Sequence, residues 1–293
     1  MANQYPVTKD DKLLEFLFET FKDQSKTAVR EMLKQRRISV NGKIVTKFDL
    51  ELKAGDTVGI VSKKDIRARA ENSTEGLKIL FEDNDIIVIY KPEGLLSIGT
   101  DADKEKTAYH ILNNHVRKQG FNKHIFAVHR LDCKTSGVML FAKSEEARDF
   151  FRSDWNNVVN ERSYYAVTEG MPPKPKGTVK SWLTENARFK SFSTDFDNGG
   201  KEAITDYEVI QTNGKYSLLK LDLQTGRKNQ IRVHMQDLGC PIAGDEKYGA
   251  TTNPLKRLCL HAGTLEFIHP KTGESMSFSM PIPAGFKKIS FDK

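Results

Sequence analysis

The stretch His129-Arg130-Leu131-Asp132-Cys133-Lys134-Thr135-Ser136-Gly137 lies between two apolar runs, residues 125–128 and 138–142. Short apolar runs bounded by turn chemistry read as strands, so this polar insert is a loop on a rigid scaffold, where site residues concentrate. Asp132 has two basic neighbours in it, Arg130 and Lys134. Nearby cations favour the ionised carboxylate, which is also the nucleophilic form. A turn holding a solvated ion pair would use the same residues.

Farther along, Thr225-Gly226-Arg227-Lys228-Asn229-Gln230-Ile231-Arg232-Val233-His234-Met235 sets basic and amide side chains around Ile231. Arg162-Ser163-Tyr164-Tyr165-Ala166-Val167 places a tyrosine in a strand-like setting, and Lys91-Pro92-Glu93-Gly94-Leu95-Leu96 precedes them all. An isolated aspartate loop is a weak signal, whereas several ordered motifs are a strong one. Together they resemble the RluA family of pseudouridine synthases, from about residue 77 to the end of the chain.

Composition is consistent with such a resemblance. The 293 residues allow one large and one small domain, each with its own core. A net charge of +7 and a pI near 9.1 favour a polyanionic partner such as nucleic acid. Cys133, Cys240 and Cys259 form no CxxC and leave one over, which argues against a disulfide framework or structural zinc. Residues 1–10 lack a signal pattern, and no run approaches the roughly 18 apolar residues of a membrane span. A cytoplasmic protein with no membrane partner is expected, and a monomer by default.

The N-terminal segment reads as a unit. Leu13, Leu14, Phe16, Leu17 and Phe21 give a helical apolar face, and Ser25 can cap a second helix carrying Ala28, Val29, Met32 and Leu33. Residues 38–40 and 43–45 flank Asn41-Gly42, a type I′ hairpin signal, and 57–61 form a closing strand. This order resembles the small RNA-binding module of ribosomal protein S4. The second helix and hairpin carry Lys26, Arg30, Lys34, Arg36, Arg37 and Lys43, a cluster able to meet a phosphate backbone or simply to form a solvated face. The expected organisation is an RNA-binding module over 1–62, a polar linker over 63–76 and a catalytic domain over 77–293. In the last, strands at 79–81, 86–89, 164–167, 179–183, 204–211, 216–223, 260–268 and 275–280 are interrupted by helices at 107–118, 144–155 and 229–238. That pattern predicts an α+β fold with a mixed, mainly antiparallel sheet flanked by helices.

The resemblance implies a reaction in which the N-glycosidic bond of a uridine in structured RNA, ribosomal or transfer, is broken and the base rejoined through carbon. It implies no cofactor and no metal. It implies that the uridine is flipped from its stack, at a cost of a few kcal/mol. Asp132 matches the family's catalytic aspartate, acting either at the sugar carbon or in loss of the C2′ proton. Tyr164 matches the active-site tyrosine, and Arg232 the arginine that pairs with the aspartate. Arg130 matches a basic residue positioned to fill the gap left by the flipped base, or else it pairs with Asp132. Ile231 would form an apolar floor, and Arg227 would touch phosphate or pack locally. Two positions depart from the family pattern. Asn229 stands where histidine is common, and Arg162 where lysine is common.

Two other classes compete. A non-catalytic RNA-binding or ribosome-assembly protein would have no need of an acid in a basic groove. A retaining glycosidase would require a second carboxylate about 5 Å from the first. The nearest candidate, Asp245 in Gly244-Asp245-Glu246-Lys247-Tyr248-Gly249, reads as a loop residue. The histidines form no compact ligand pair and read as structural.

Overall fold

The computed structural model describes residues 4–34, 37–45, 47–61, 77–99, 106–120, 123–187 and 189–291. The chain divides into two compact units, Met1–Thr74 and Glu75–Lys293.

The first unit contains β1 (Gln4–Pro6), β2 (Asp11–Lys12), α1 (Leu13–Thr20), α2 (Lys26–Lys34), β3 (Ile38–Val40), β4 (Lys43–Ile44), β5 (Glu51–Leu52) and β6 (Thr57–Ile60). Leu13 and Leu17 of α1, Val29 of α2, Ile38 and Val58 are fully buried together, so the apolar face legible in the sequence is the face that packs. Ser25 caps α2 by accepting from the Ala28 amide. Asn41 and Gly42 both adopt positive φ, as a type I′ turn requires, and pin the register Val40↔Lys43. The sequence reading omitted β1, β2 and β5. Each has two or three residues, too few to show an alternating pattern.

The second unit begins with β7 (Lys78–Glu82), β8 (Ile86–Lys91), α3 (Ala108–Arg117), β9 (Phe126–Ala127), β10 (Ser136–Ala142), α4 (Glu145–Ser153) and α5 (Trp155–Val158). It continues with β11 (Val159–Glu169), β12 (Lys176–Glu185), β13 (Ser191–Thr194), β14 (Lys201–Thr212), β15 (Tyr216–Leu223), α6 (Gln230–Asp237), β16 (Leu260–Ile268), β17 (Ser275–Ser279) and α7 (Ala284–Ile289). The strands form one 11-stranded sheet in the order β13-β12-β14-β15-β11-β16-β10-β8-β7, with β17 beside β16 and β9 beside β10.

The apolar runs of β8 and β10 are nearly unbroken because both faces are covered. Ile87, Ile89, Met139 and Phe141 pack with Ile111, Leu112 and Val116 of α3. Their alternates, Ile86, Val88, Val138 and Leu140, pack with Phe151 of α4. Thr107 and Ser144 cap these helices by accepting from the His110 and Ala147 amides. Among the described residues, the strands named pair antiparallel except β10 with β16, which meet in parallel at Ser136↔His261 and Gly137↔Ala262. At Gly137 φ is +132°, and a Cβ would fall 2.1 Å from the Ala262 carbonyl oxygen, so only glycine permits this approach. The run at 125–128 is paired only at β9, and Ser136 and Gly137 belong to β10. The loop proper is thus 129–135.

Candidate active site

Asp132 is held by its neighbours. Ser97 Oγ donates to the Leu131 carbonyl at 2.6 Å and accepts from the Leu131 amide at 3.1 Å, while the Leu131 side chain is buried among the residues that cover α3. On the other side the Cys133 carbonyl accepts from the Gly94 amide at 2.9 Å and from Lys91 Nζ at 3.2 Å. Lys91 is fully buried and donates also to the Pro92 and Leu95 carbonyls. Burial lowers its pKa to about 8. The Lys91–Leu96 motif is therefore the clamp that presents the aspartate. Fixed at 131 and 133, the loop presents the Asp132 side chain to the cleft.

The opposite wall is α6. Gln230, buried at its first turn, accepts from Thr225 Oγ1 and the Arg227 amide and donates to the Ile204 carbonyl and Thr205 Oγ1, which fixes the preceding turn. Arg232 Nη1 donates to Asp132 Oδ2 at 3.1 Å and to Asn229 Oδ1 at 2.9 Å. Its Nε and Nη2 both donate to Asp245, at 2.6 and 2.7 Å. Burial acts to lower the Arg232 pKa, but Asp245 and then Asp132 outweigh it and raise it. The ion pair of Asp132 is thus made with a residue 100 positions away, not with Arg130 or Lys134, which are exposed. Proximity along the chain had suggested the wrong cations.

Tyr164, on β11 opposite Leu221 and Ala262, faces the same cleft, and enclosure there pushes its hydroxyl up to about 12. Tyr165 turns to the other side of the sheet, against Gly263, where a Cβ would lie 2.5 Å from its ring. The cleft has a volume of about 440 Å³ and adjoins a recess of about 70 Å³. Asp132, Tyr164, Arg232, Arg130, Ile231 and Arg227 all line the recess. Ile231 is almost wholly buried beneath it. Arg227 is exposed and anchored through Nε to the Glu202 carbonyl. Arg162 and Trp155 line the outer cleft, a contribution the motif reading did not assign.

Asp245 is the largest surprise. It is 2% exposed at the side chain, and it grips Arg232 with both oxygens. Its sequence setting, polar and next to Gly244, resembles any surface turn. Asn229, at positive φ, bridges Arg232 and Tyr248 by donating to the tyrosine hydroxyl at 3.0 Å.

His234 and His261 are buried and hydrogen-bonded to hydroxyls, and burial lowers each to about 4. Among the described residues, Asp83, Asp85 and His269 are the trio close enough to share a metal ion. His269 Nδ1 already accepts from the Lys271 and Thr272 amides, which directs its Nε2 proton to Asp83, and none of the three lines the cleft.

In the first unit Lys26 and Arg30 are exposed, each 5.5 Å from the ring centre of Phe18. Arg37 is half-buried, and its Nε–H finds no acceptor among the described residues. Lys34 ends α2 and Lys43 opens β4. Arg36 and the expected linker at 63–76 lie outside the described residues.

Comparison with known proteins agrees with this architecture. The model of the RNA pseudouridylate synthase family matches residues 85–237, and that of the S4 domain matches 12–58. An uncharacterized RNA pseudouridine synthase of Bacillus subtilis, YhcT, is 32% identical over 285 residues, covering 96% of this chain and 93% of the relative. Ribosomal large subunit pseudouridine synthase D of Haemophilus influenzae is 30% identical, covering 98% and 93%. The solved structure of human RNA pseudouridylate synthase domain containing 4 superposes with a TM-score of 0.59 at 25% identity, over 75% of this chain and 93% of that one. The chain belongs to the RNA pseudouridylate synthase family and is an RNA pseudouridine synthase, an isomerase, with an N-terminal S4 domain. No helix among the described residues is long and apolar enough to cross a membrane.

Proposed function

We propose that this enzyme isomerises particular uridines of structured ribosomal RNA, with Asp132, Tyr164 and Arg232 as its catalytic residues. The observation that carries this reading is the Asp132 carboxylate 3.1 Å from the Arg232 guanidinium in a cleft that Tyr164 and Ile231 also line. The ribosomal assignment leans on relatives whose names specify the large ribosomal subunit.

In this reading the extruded uracil enters the recess, with Ile231 beneath it and the Tyr164 ring beside it. Asp132 acts at the ribose while Arg232 balances its charge, so the glycosidic bond is opened next to a fixed countercharge. Tyr164, whose proton is retained to about pH 12, serves as a proton donor or hydrogen-bond partner throughout the working range. Arg130, exposed at the mouth, fills the stack that the base has left, and Arg227 meets the neighbouring phosphate. Residues 1–62 form the module that holds RNA, with Lys26, Arg30, Lys34, Arg36, Arg37 and Lys43 as its phosphate contacts. A linker at 63–76 tethers it to a catalytic domain at 77–293, raising the local concentration of substrate. The protein acts as a cytoplasmic monomer; its three cysteines are free thiols, in keeping with a reducing compartment.

Asp132→Asn tests this directly. The variant should make no detectable pseudouridine and bind ribosomal RNA within a few-fold of the parent. Parent-rate turnover would overturn the assignment, whereas a parent protein that bound RNA but made no pseudouridine would favour one that only binds. Mapping pseudouridines in ribosomal and transfer RNA from cells with and without the gene identifies the substrate.

A further inference from the structure

We infer that Asp245 is a positioning residue for the isomerisation: it holds the Arg232 fork so that a single arm reaches Asp132, leaving the second oxygen of that carboxylate free for substrate. This rests on the reading of Asp132 as the catalytic acid.

An arginine has a preferred way to meet a carboxylate, which is to offer two parallel N–H groups to both oxygens. Here that fork is given to Asp245, through Nε to Oδ2 and Nη2 to Oδ1. Only Nη1 remains for the cleft, and it is shared between Asn229 Oδ1 and Asp132 Oδ2. Among the described residues the Asp132 carboxylate accepts no other hydrogen bond, so Oδ1 is unengaged. A carboxylate clamped at both oxygens would have to break a charge-assisted bond before reacting. The observed arrangement avoids that cost.

The brace is built to be rigid. Gly244, at φ +83°, sits where a Cβ would lie 2.1 Å from the Arg257 carbonyl oxygen, which forces the backbone close and turns Asp245 inward. The Asp245 amide donates to the Ile242 carbonyl, and its own carbonyl accepts from the Tyr248 and Ala250 amides. The Tyr248 ring lies under the guanidinium with Cζ 4.7 Å from its centre, and its hydroxyl accepts from Asn229. Arg232 is thereby fixed from below, beside and behind. Asp245 itself does not line the cleft, so it has no route to act on RNA except through Arg232.

Charge supports the same assignment. Two carboxylates flank one guanidinium, so Asp132 has only part of a countercharge to itself. Removing the Asp245 charge would let Arg232 swing its fork to Asp132, pairing both oxygens and withdrawing electron density from the reacting group.

The test is a pair of comparisons by single-turnover kinetics with the full-length enzyme on its RNA substrate. Asp245→Asn should lower the chemical step by about 100-fold, the size of effect expected of a small misplacement at a reacting centre, while the RNA Kd stays within about two-fold. In an Arg232→Lys background, where no fork exists to be held, the same change should cost less than about three-fold. A purely structural role would cost the same in both. Equal losses in the two backgrounds, or a parent-like rate for Asp245→Asn, would overturn the inference. Should Asp245→Asn not fold, Asp245→Glu, which keeps the charge and moves it by one methylene, carries the same comparison. Failure of the underlying reading shows separately, as an active Asp132→Asn.

Discussion

The cations of the two units are used in opposite ways. On α2 of the S4 unit, Lys26 and Arg30 stand in solvent over Phe18. In the catalytic unit Lys91 is buried and Arg232 largely so, with their donors consumed by three carbonyls in one case and by Asp245, Asp132 and Asn229 in the other. An exposed cation attracts phosphate at long range and contributes little to folding. A buried one is a fixed charge of known direction, and its removal leaves uncompensated partners behind. The same residue types are therefore free to meet solvent or phosphate in one region and fixed in geometry in the other.

Replacing Arg232 by Met should have the largest effect, since it orphans the buried Asp245 carboxylate. We expect a loss of about 3–5 kcal/mol in urea unfolding together with loss of turnover. A variant as stable as the parent would mean that the buried pair is not what holds this wall.

Acid should act nearly as strongly, through the buried histidines. Unfolded histidine takes up its proton near pH 6.5, whereas His234 and His261 in the native state resist it until about pH 4. Between these values the unfolded chain binds more protons, so stability falls as pH drops from 6.5 toward 4. Unfolding at pH 7 and pH 5 should differ by about 2–4 kcal/mol from these two, and replacing both by Gln should reduce the difference, leaving the share of His129, which burial lowers to about 3.

Lys91→Met should follow, at about 2–3 kcal/mol for carbonyls stripped of their donor, with a fall in kcat larger than any change in RNA Kd because the Asp132 loop loosens. Smallest in stability is the double variant Lys26→Ala with Arg30→Ala, within about 0.5 kcal/mol of the parent. Its effect belongs to RNA: weaker binding, a slope of log affinity against log salt reduced by about one to two, and unchanged turnover at saturating substrate. If this variant lost turnover instead, the division of labour between exposed and buried charge would be wrong.

The local elements of the fold were legible because their causes are local. Asn41-Gly42 dictates a turn, Ser25 and Ser144 cap helices, and the unbroken apolar runs of β8 and β10 announce strands covered on both faces. β13 was not legible, since Ser191-Phe192-Ser193-Thr194 owes its strand state to pairing with β12 and to Ser193 Oγ donating to Asp237 of α6. At the site, the motifs located the residues lining the recess and, through the resemblance, the Asp132–Arg232 pair, but not what holds Arg232. Arg130 and Lys134 lay nearest to Asp132 in sequence, and Arg232 in space. Asp245 went unassigned for the same reason, because a bidentate bond across 13 residues of turn and loop leaves no periodic trace.

The parallel seam between β10 and β16 joins Ser136 to His261, residues 125 positions apart, only a few residues from Asp132. Closing so long a loop is entropically expensive, and contacts of that separation form late in folding. A chain halted before β16 would already carry the aspartate motif, the tyrosine and the arginine, yet have no catalytic centre. Half-made enzyme on the ribosome would thus be silent, and turnover would begin only once the segment from β16 onward has been folded in.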